Sequence, residues 1–285
     1  MNKIIAKNPR HLKQLIAQEI HINGLNCDLN HIDISKIKNM SCLFINSKFN
    51  GNISQWDTSN VNNMSSIFSR SNFNGDISQW NTSKVNNMAT AFYKSQFNGD
   101  LSQWDVSQVV NMNAMFSYSS FNSDISHWNV SQVTYMQSMF EDSQFNGDIS
   151  GWDTKNVENM AAMFMNSKFN GDIGAWDVSN VKNMSMMFLS SLFTGDISQW
   201  NAKSVEDISF IFENSKLRSA PTLSYNHSPN YIKDNFYNTK RAAPYWANII
   251  NIQERQLAIE AYHTHKLLNN TIEQTQKDNH IVTKI

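Results

Sequence analysis

Hydrophobic positions recur along this chain every 24 residues. Trp56, Trp80, Trp104, Trp128, Trp152, Trp176 and Trp200 form one column, and Phe44, Phe68, Phe92, Phe116, Phe140, Phe164, Phe188 and Phe212 form another. A second Phe column runs through Phe49, Phe73, Phe97, Phe121, Phe145, Phe169 and Phe193. Met40, Met64, Met88, Met112, Met136, Met160 and Met184 keep the same period, closed by Ile208, and Val or Ile occupies a fifth column from Ile37 to Val205. The unit reads F-N-G-D-I-S-Q-W-D-x-S-x-V-x-N-M-x-x-M-F-x-x-S-x, with its first Phe as position 1, and it repeats eight times from Leu25 to Lys216 without insertion or deletion. In the first repeat Leu25 replaces Phe, Cys27 replaces Gly and Ile32 replaces Trp. A terminal repeat that faces a cap is expected to depart from the consensus.

The spacing within the unit predicts two short elements. Asn-Gly at positions 2 and 3 signals a turn, with Gly free to take positive φ. In Ile77-x-x-Trp80-x-Thr82, Trp and the β-branched residue lie two apart and share one face of a short strand. Ser59, Ser83, Ser107, Ser131 and Ser179 then read as N-caps, and Val61, Met64 and Phe68 follow the i, i+3, i+7 spacing of a two-turn helix. One strand and one helix in 24 residues cannot enclose a core alone; stacked copies can. Ser at position 23 is present in every repeat from Ser47 to Ser215. A small residue there fits a tight return, with its hydroxyl available to a freed backbone group.

The ends depart from the period. Asn8-Pro9 followed by Leu12, Leu15, Ile16 and Ile20 predicts a helix over residues 1–24 that covers the first repeat. Residues 217–285 hold three of the four prolines and then a helical pattern from Trp246 to Asn270. They read as a loop-rich linker and a C-terminal helical cap. The organisation expected is therefore an N-terminal capping helix (1–24), an eight-repeat body (25–216) and a linker with cap (217–285).

Composition narrows function. The chain has 285 residues, 23 Lys+Arg against 24 Asp+Glu, and a net charge of −1. That balance argues against a main role in gripping nucleic acid or an anionic membrane. No apolar run is long enough to predict a membrane span. Cys27 and Cys42 make no disulfide framework and read as small, reduced thiols. The first residues show no apolar core or cleavage site of an export signal, so a cytoplasmic location is expected. The alternative is a secreted or surface location by a signal-peptide-independent route.

The units FNGNISQWDTSNVNNMSSIF (49–68) and FNGDISGWDTKNVENMAAMF (145–164) resemble those of the BspA-like leucine-rich repeat surface proteins. The resemblance covers roughly 25–216. It implies an α/β, leucine-rich-repeat-like solenoid of eight 24-residue coils, with short parallel strands on one face and helices or turns opposite. In that reading Ile77-x-x-Trp80-x-Thr82 stands where such repeats carry L-x-x-L-x-L. The family has no common enzymatic activity, and the roles attributed to it are adhesion and protein–protein interaction.

Position 4 carries Asp28, Asp76, Asp100, Asp124, Asp148, Asp172 and Asp196, with Asn52 in the gap. At strand-to-strand spacing these carboxylates repel one another unless hydrogen bonds or cations offset the charge. Calcium bridging is one reading; the simpler one is a carboxylate accepting backbone N–H groups in a turn. No metal and no cofactor is expected, and the body offers no catalytic arrangement. Positions 7 and 9 should face outward from the predicted sheet. The candidate partner-binding face is therefore Gln55, Asp57, Gln79, Asn81, Gln103, Asp105, His127, Asn129, Asp153, Asp177 and Gln199, together with Lys155 at position 11, where the face varies. It is flat, polar and slightly acidic, and it loses its larger side chains at Gly151, Gly174 and Ala175. The expected function is a noncatalytic module that binds a protein partner through this sheet face, a host-derived protein being one such partner. The alternative is a secreted bacterial effector or adhesin recognising a host molecule.

Overall fold

The computed structural model of the chain describes residues 3–197 and 199–216. The linker and C-terminal cap expected over 217–285 lie outside them. The helix α1 spans Pro9–Asn23, with Pro9 in its first turn and the Asn8 side chain accepting from the His11 N–H. Leu12 and Ile16 bury one stripe of it. It ends at Gly24, the one glycine among the described residues with positive φ, at 82°. Ahead of it, β1 (Ile4–Ile5) pairs in parallel with β2 (Ile32–Asp33), which tethers the N-terminus to the first repeat.

The repeats form one tandem array around a continuous aromatic core. Phe44, Phe68, Phe92, Phe116, Phe140, Phe164 and Phe188 are each 1% exposed or less, as are the seven Phe of the other column. The position-20 ring of each repeat stacks closely on the position-1 ring of the next, as in Phe116–Phe121 at 4.1 Å between centroids, and also on its own counterpart there, as in Phe116–Phe140 at 5.9 Å. The Trp column is also buried, at 2–4% exposure. Each indole N–H donates to the position-5 carbonyl one repeat earlier, for example Trp128 to Leu101 at 3.0 Å and Trp80 to Ile53 at 3.1 Å. A buried indole donor without such a partner would be costly, so this bond fixes the ring's register as well as its place.

The main chain differs from the expected strand and helix. Apart from β2 in the first repeat, no strand forms over Ile77–Thr82 or its counterparts among the described residues, and no helix forms over Val61–Phe68. Positions 15 to 23 instead make a ribbon of turns. Met64, Ser66, Phe68 and Arg70 donate their N–H groups to Asn87, Ala89, Ala91 and Tyr93 in the next repeat. The intervening Ile67, Ser69 and Ser71 donate back three residues, to Met64, Ser66 and Phe68. This alternation satisfies the backbone without an i→i−4 ladder. Parallel bridges do join the repeats, at position 15, running Asn39, Asn63, Asn87, Asn111, Tyr135, Asn159, Asn183 and Asp207, and once at position 4, between Asp28 and Asn52.

Left-handed backbone also falls elsewhere than expected. The position-3 glycines do not take positive φ. Positions 18 and 22 do, from Cys42 (55°) and Asn46 (55°) to Phe210 (57°) and Asn214 (53°), with no glycine at any of them. The turn ribbon needs this conformation twice per repeat, and the inter-repeat hydrogen bonds hold it against a cost of about 1 kcal/mol per residue. Glycine at position 3 has another cause. A Cβ on Gly99 would come within 2.7 Å of the Phe97 ring, and one on Gly171 within 2.9 Å of the Phe169 ring. The aromatic core thus presses on the backbone at this column.

Candidate functional site

Most repeated polar columns hold the backbone. At position 4, the Oδ1 atoms of Asp76, Asp100, Asp124, Asp148 and Asp172 accept the N–H two residues on, at 2.8–2.9 Å. Asn52 does the same for Ser54 at 3.1 Å and donates its amide to Asp28 at 3.2 Å. At position 9, Asp57, Asn81, Asp105, Asn129, Asp153 and Asp177 accept from position 11 at 2.9–3.2 Å. At position 15, Asn63, Asn87, Asn111 and Asn159 cap position 17. Position 23 behaves as its size suggested: the hydroxyls of Ser71, Ser95 and Ser143 accept the N–H of the Phe that begins the next repeat. Position 2 forms a ladder between repeats, in which Asn74, Asn98 and Asn122 accept the N–H of Asn98, Asn122 and Asn146.

These bonds set the electrostatics of the Asp column. The Ser78 N–H, with its hydroxyl second, holds the Asp76 carboxyl below the usual carboxylate range; Ser126 and Ser150 do the same for Asp124 and Asp148. At position 9 the larger cause is the serine hydroxyl, Ser59 acting on Asp57 and Ser179 on Asp177. Among the described residues no three His, Cys, Asp or Glu side chains gather as a metal would require. The turn reading of the Asp column is the one the hydrogen bonds support.

These depressed carboxyls make stability depend on pH. A carboxyl whose folded pKa is depressed contributes stability above its unfolded pKa, near ~3.9, and loses it as pH falls through the folded value. Stability should therefore hold from neutral pH to about 4 and decline below it. Asn52 shows that an amide can make the same turn without a charge. The triple variant Asp76→Asn, Asp124→Asn, Asp148→Asn, which lacks this carboxylate contribution, should fall below the parent in urea midpoint at pH 7 and lose less than the parent between pH 7 and pH 3. An equal loss at pH 3 would assign the acid sensitivity to other groups.

The candidate binding face consists of two exposed columns with different duties. Gln55, Gln79, Gln103, His127 and Gln199 at position 7 are exposed, and Gln79 makes only a 3.4 Å bond to the neighbouring Ser78 hydroxyl. Asp57, Asn81, Asp105, Asn129, Asp153 and Asp177 are exposed too, but one oxygen of each is engaged by its own turn. Lys155 supplies the N–H that Asp153 accepts, and its side chain is exposed. Turns, not a sheet, carry these residues, so the face is a succession of turn columns and the sheet-face description is corrected.

Near the N-terminus a cleft of about 580 Å³ lies between α1 and the first repeat, lined by Glu19, Asn23, Cys27, Asp28, Asn30 and His31. His31 Nε2 stands 3.4 Å from Glu19 Oε1. Burial pushes the Cys27 thiol up, so it is held as a thiol rather than a nucleophilic thiolate. Cys27 and Cys42 are both free and half-buried. No described helix is long and apolar enough to cross a membrane.

Four overlapping stretches of the chain, 12–120, 71–167, 94–192 and 141–244, match one family model, described as a Mycoplasma protein of unknown function, DUF285. Overlapping matches of this kind are what tandem repeats produce. Nothing matches among the curated proteins or among the solved structures.

Proposed function

We propose, given that the chain belongs to the DUF285 family of Mycoplasma proteins of unknown function, that it is a noncatalytic module that binds a protein partner. The architecture that goes with this reading is a leucine-rich-repeat-like solenoid of the BspA-like kind. The observation that carries it is a division of labour among polar columns. Positions 4, 9, 15 and 23 use their side chains on the protein's own backbone, whereas position 7 leaves Gln55, Gln79, Gln103 and His127 in a row without a backbone duty for their side chains. A row of side-chain donors and acceptors at repeat spacing offers paired hydrogen bonds to an extended partner segment.

The test targets position 7, where substitution spares the turns. A partner captured by the full chain should be lost with the double variant Gln79→Arg, Gln103→Arg, while the thermal midpoint stays unchanged. Retained binding would remove the position-7 face from the reading. Turnover by the purified chain on any substrate would overturn the noncatalytic assignment.

A further inference from the structure

The left-handed positions single out one part of the surface. At position 22 the chain places Asn46, Asp142, Asn166 and Asn214, the residue types that tolerate this backbone best, and Ser190. Three consecutive repeats break that pattern with Arg70 (φ 54°), Lys94 (52°) and Tyr118 (56°). Long cationic and aromatic side chains gain nothing from this backbone; the inter-repeat hydrogen bonds of Arg70, Lys94 and Tyr118 hold it, as they do for Thr90 and Met186 at position 18. Such departures from local preference concentrate where a protein does its work.

The side chains make one cluster with Tyr93 at position 21. The Arg70 guanidinium lies 5.7 Å from the Tyr93 ring centre, and the Lys94 ammonium lies 5.3 Å from Tyr93 and 4.7 Å from Tyr118. The two tyrosine rings meet edge to face at 6.0 Å, and the Tyr118 hydroxyl donates to Glu141 at 3.1 Å. Tyr118 is 40% exposed. Neither Arg70 nor Lys94 forms an ion pair among the described residues, unlike Lys182, which pairs with Glu158 at 3.0 Å. Both cations are thus held over ring faces, with N–H donors left for an incoming anion. Holding them in advance removes part of the entropy lost on binding.

We propose that Arg70, Tyr93, Lys94 and Tyr118 form a docking surface for a short acidic peptide segment of a protein partner. The segment's carboxylates take the donors of Arg70 and Lys94, and its apolar side chains lie on the tyrosine rings. Tyr and Arg are the residue types that carry binding energy at such surfaces. Two cations are too few for a nucleic acid backbone. Glu141 and Asp142 in the following repeat repel a longer polyanion and limit the segment to the span of about three repeats. This surface lies on other columns than the position-7 row, so each stands or falls by its own variants.

The test is fluorescence anisotropy of a fluorescein-labelled Glu-Glu-Leu-Glu-Glu peptide with the full chain at low salt. Saturable binding is expected, weakened about tenfold by Lys94→Glu, by Arg70→Gln and by Tyr118→Ala, with thermal midpoints unchanged. Lys168→Glu, at an exposed lysine elsewhere on the array, should leave it as it is. Absence of saturable binding, or equal weakening by Lys168→Glu, overturns the proposal. So does tighter binding of a heparin hexasaccharide through the same residues.

Discussion

Replacing Phe140 by alanine should destabilise the protein by about 3–5 kcal/mol in urea denaturation at pH 7. The ring is fully buried, with centroids 4.3 Å from Phe145, 6.2 Å from Trp152, and 5.9 Å from both Phe116 and Phe164. Truncation leaves a cavity bounded by rings of the preceding and the following repeat. Those rings cannot close on it, because each is held by the column above and below. Repeat arrays gain stability from each repeat and from its contact with the next, and this residue serves the contacts on both sides of its repeat. Phe140→Leu keeps much of the volume and should cost less than half as much. A loss below about 0.5 kcal/mol for the alanine variant would mean the rings do not pack around Phe140 in this way.

The second large effect is expected at Gly51. A Cβ there would strike the Cys27 carbonyl oxygen, and it would also stand 2.7 Å from the Phe49 ring and 2.9 Å from the Asn26 carbonyl carbon. Two of these three atoms are backbone, so the strain is relieved only if the first repeat moves away from the second. Gly51→Ala should therefore cost about 3 kcal/mol, the upper part of the usual range for overpacking. Gly151→Ala is the matched control, since its Cβ would meet nothing within 4 Å. It should fall within about 0.5 kcal/mol of the parent. Equal thermal midpoints for the two variants would contradict the close approach of the first two repeats.

The two glycines show how far the sequence could be read. Gly51 belongs to a repeated Asn-Gly pair and invited a turn explanation by positive φ. Its backbone is ordinary, and the cause is a neighbouring chain segment 24 residues away. The candidate surface divides in the same way. That position 7 is exposed followed from its place beside Trp. That position 9 spends an oxygen on its own turn, and that Arg70, Tyr93, Lys94 and Tyr118 gather, depended on the folded backbone. The signal for that cluster was present in the chain as a break in the position-22 column, but its meaning depended on a left-handed backbone there.

By itself the sequence determined the period, the number of repeats, the buried columns and the helix after Asn8-Pro9. Each of these follows from residue type and spacing, because burial of Trp, Phe, Met and Val is a property local pattern records. Only the tertiary structure decided the course of the main chain. The spacing of Val61, Met64 and Phe68 suits a helix and a ribbon of three-residue turns alike. The choice between them lies in where Met64, Ser66, Phe68 and Arg70 send their N–H groups. Their acceptors sit in the next repeat, at Asn87, Ala89, Ala91 and Tyr93. Backbone partners more than twenty residues away leave no mark on local periodicity, and the repeat-to-repeat bonds they make outweigh the helix that the spacing alone would favour.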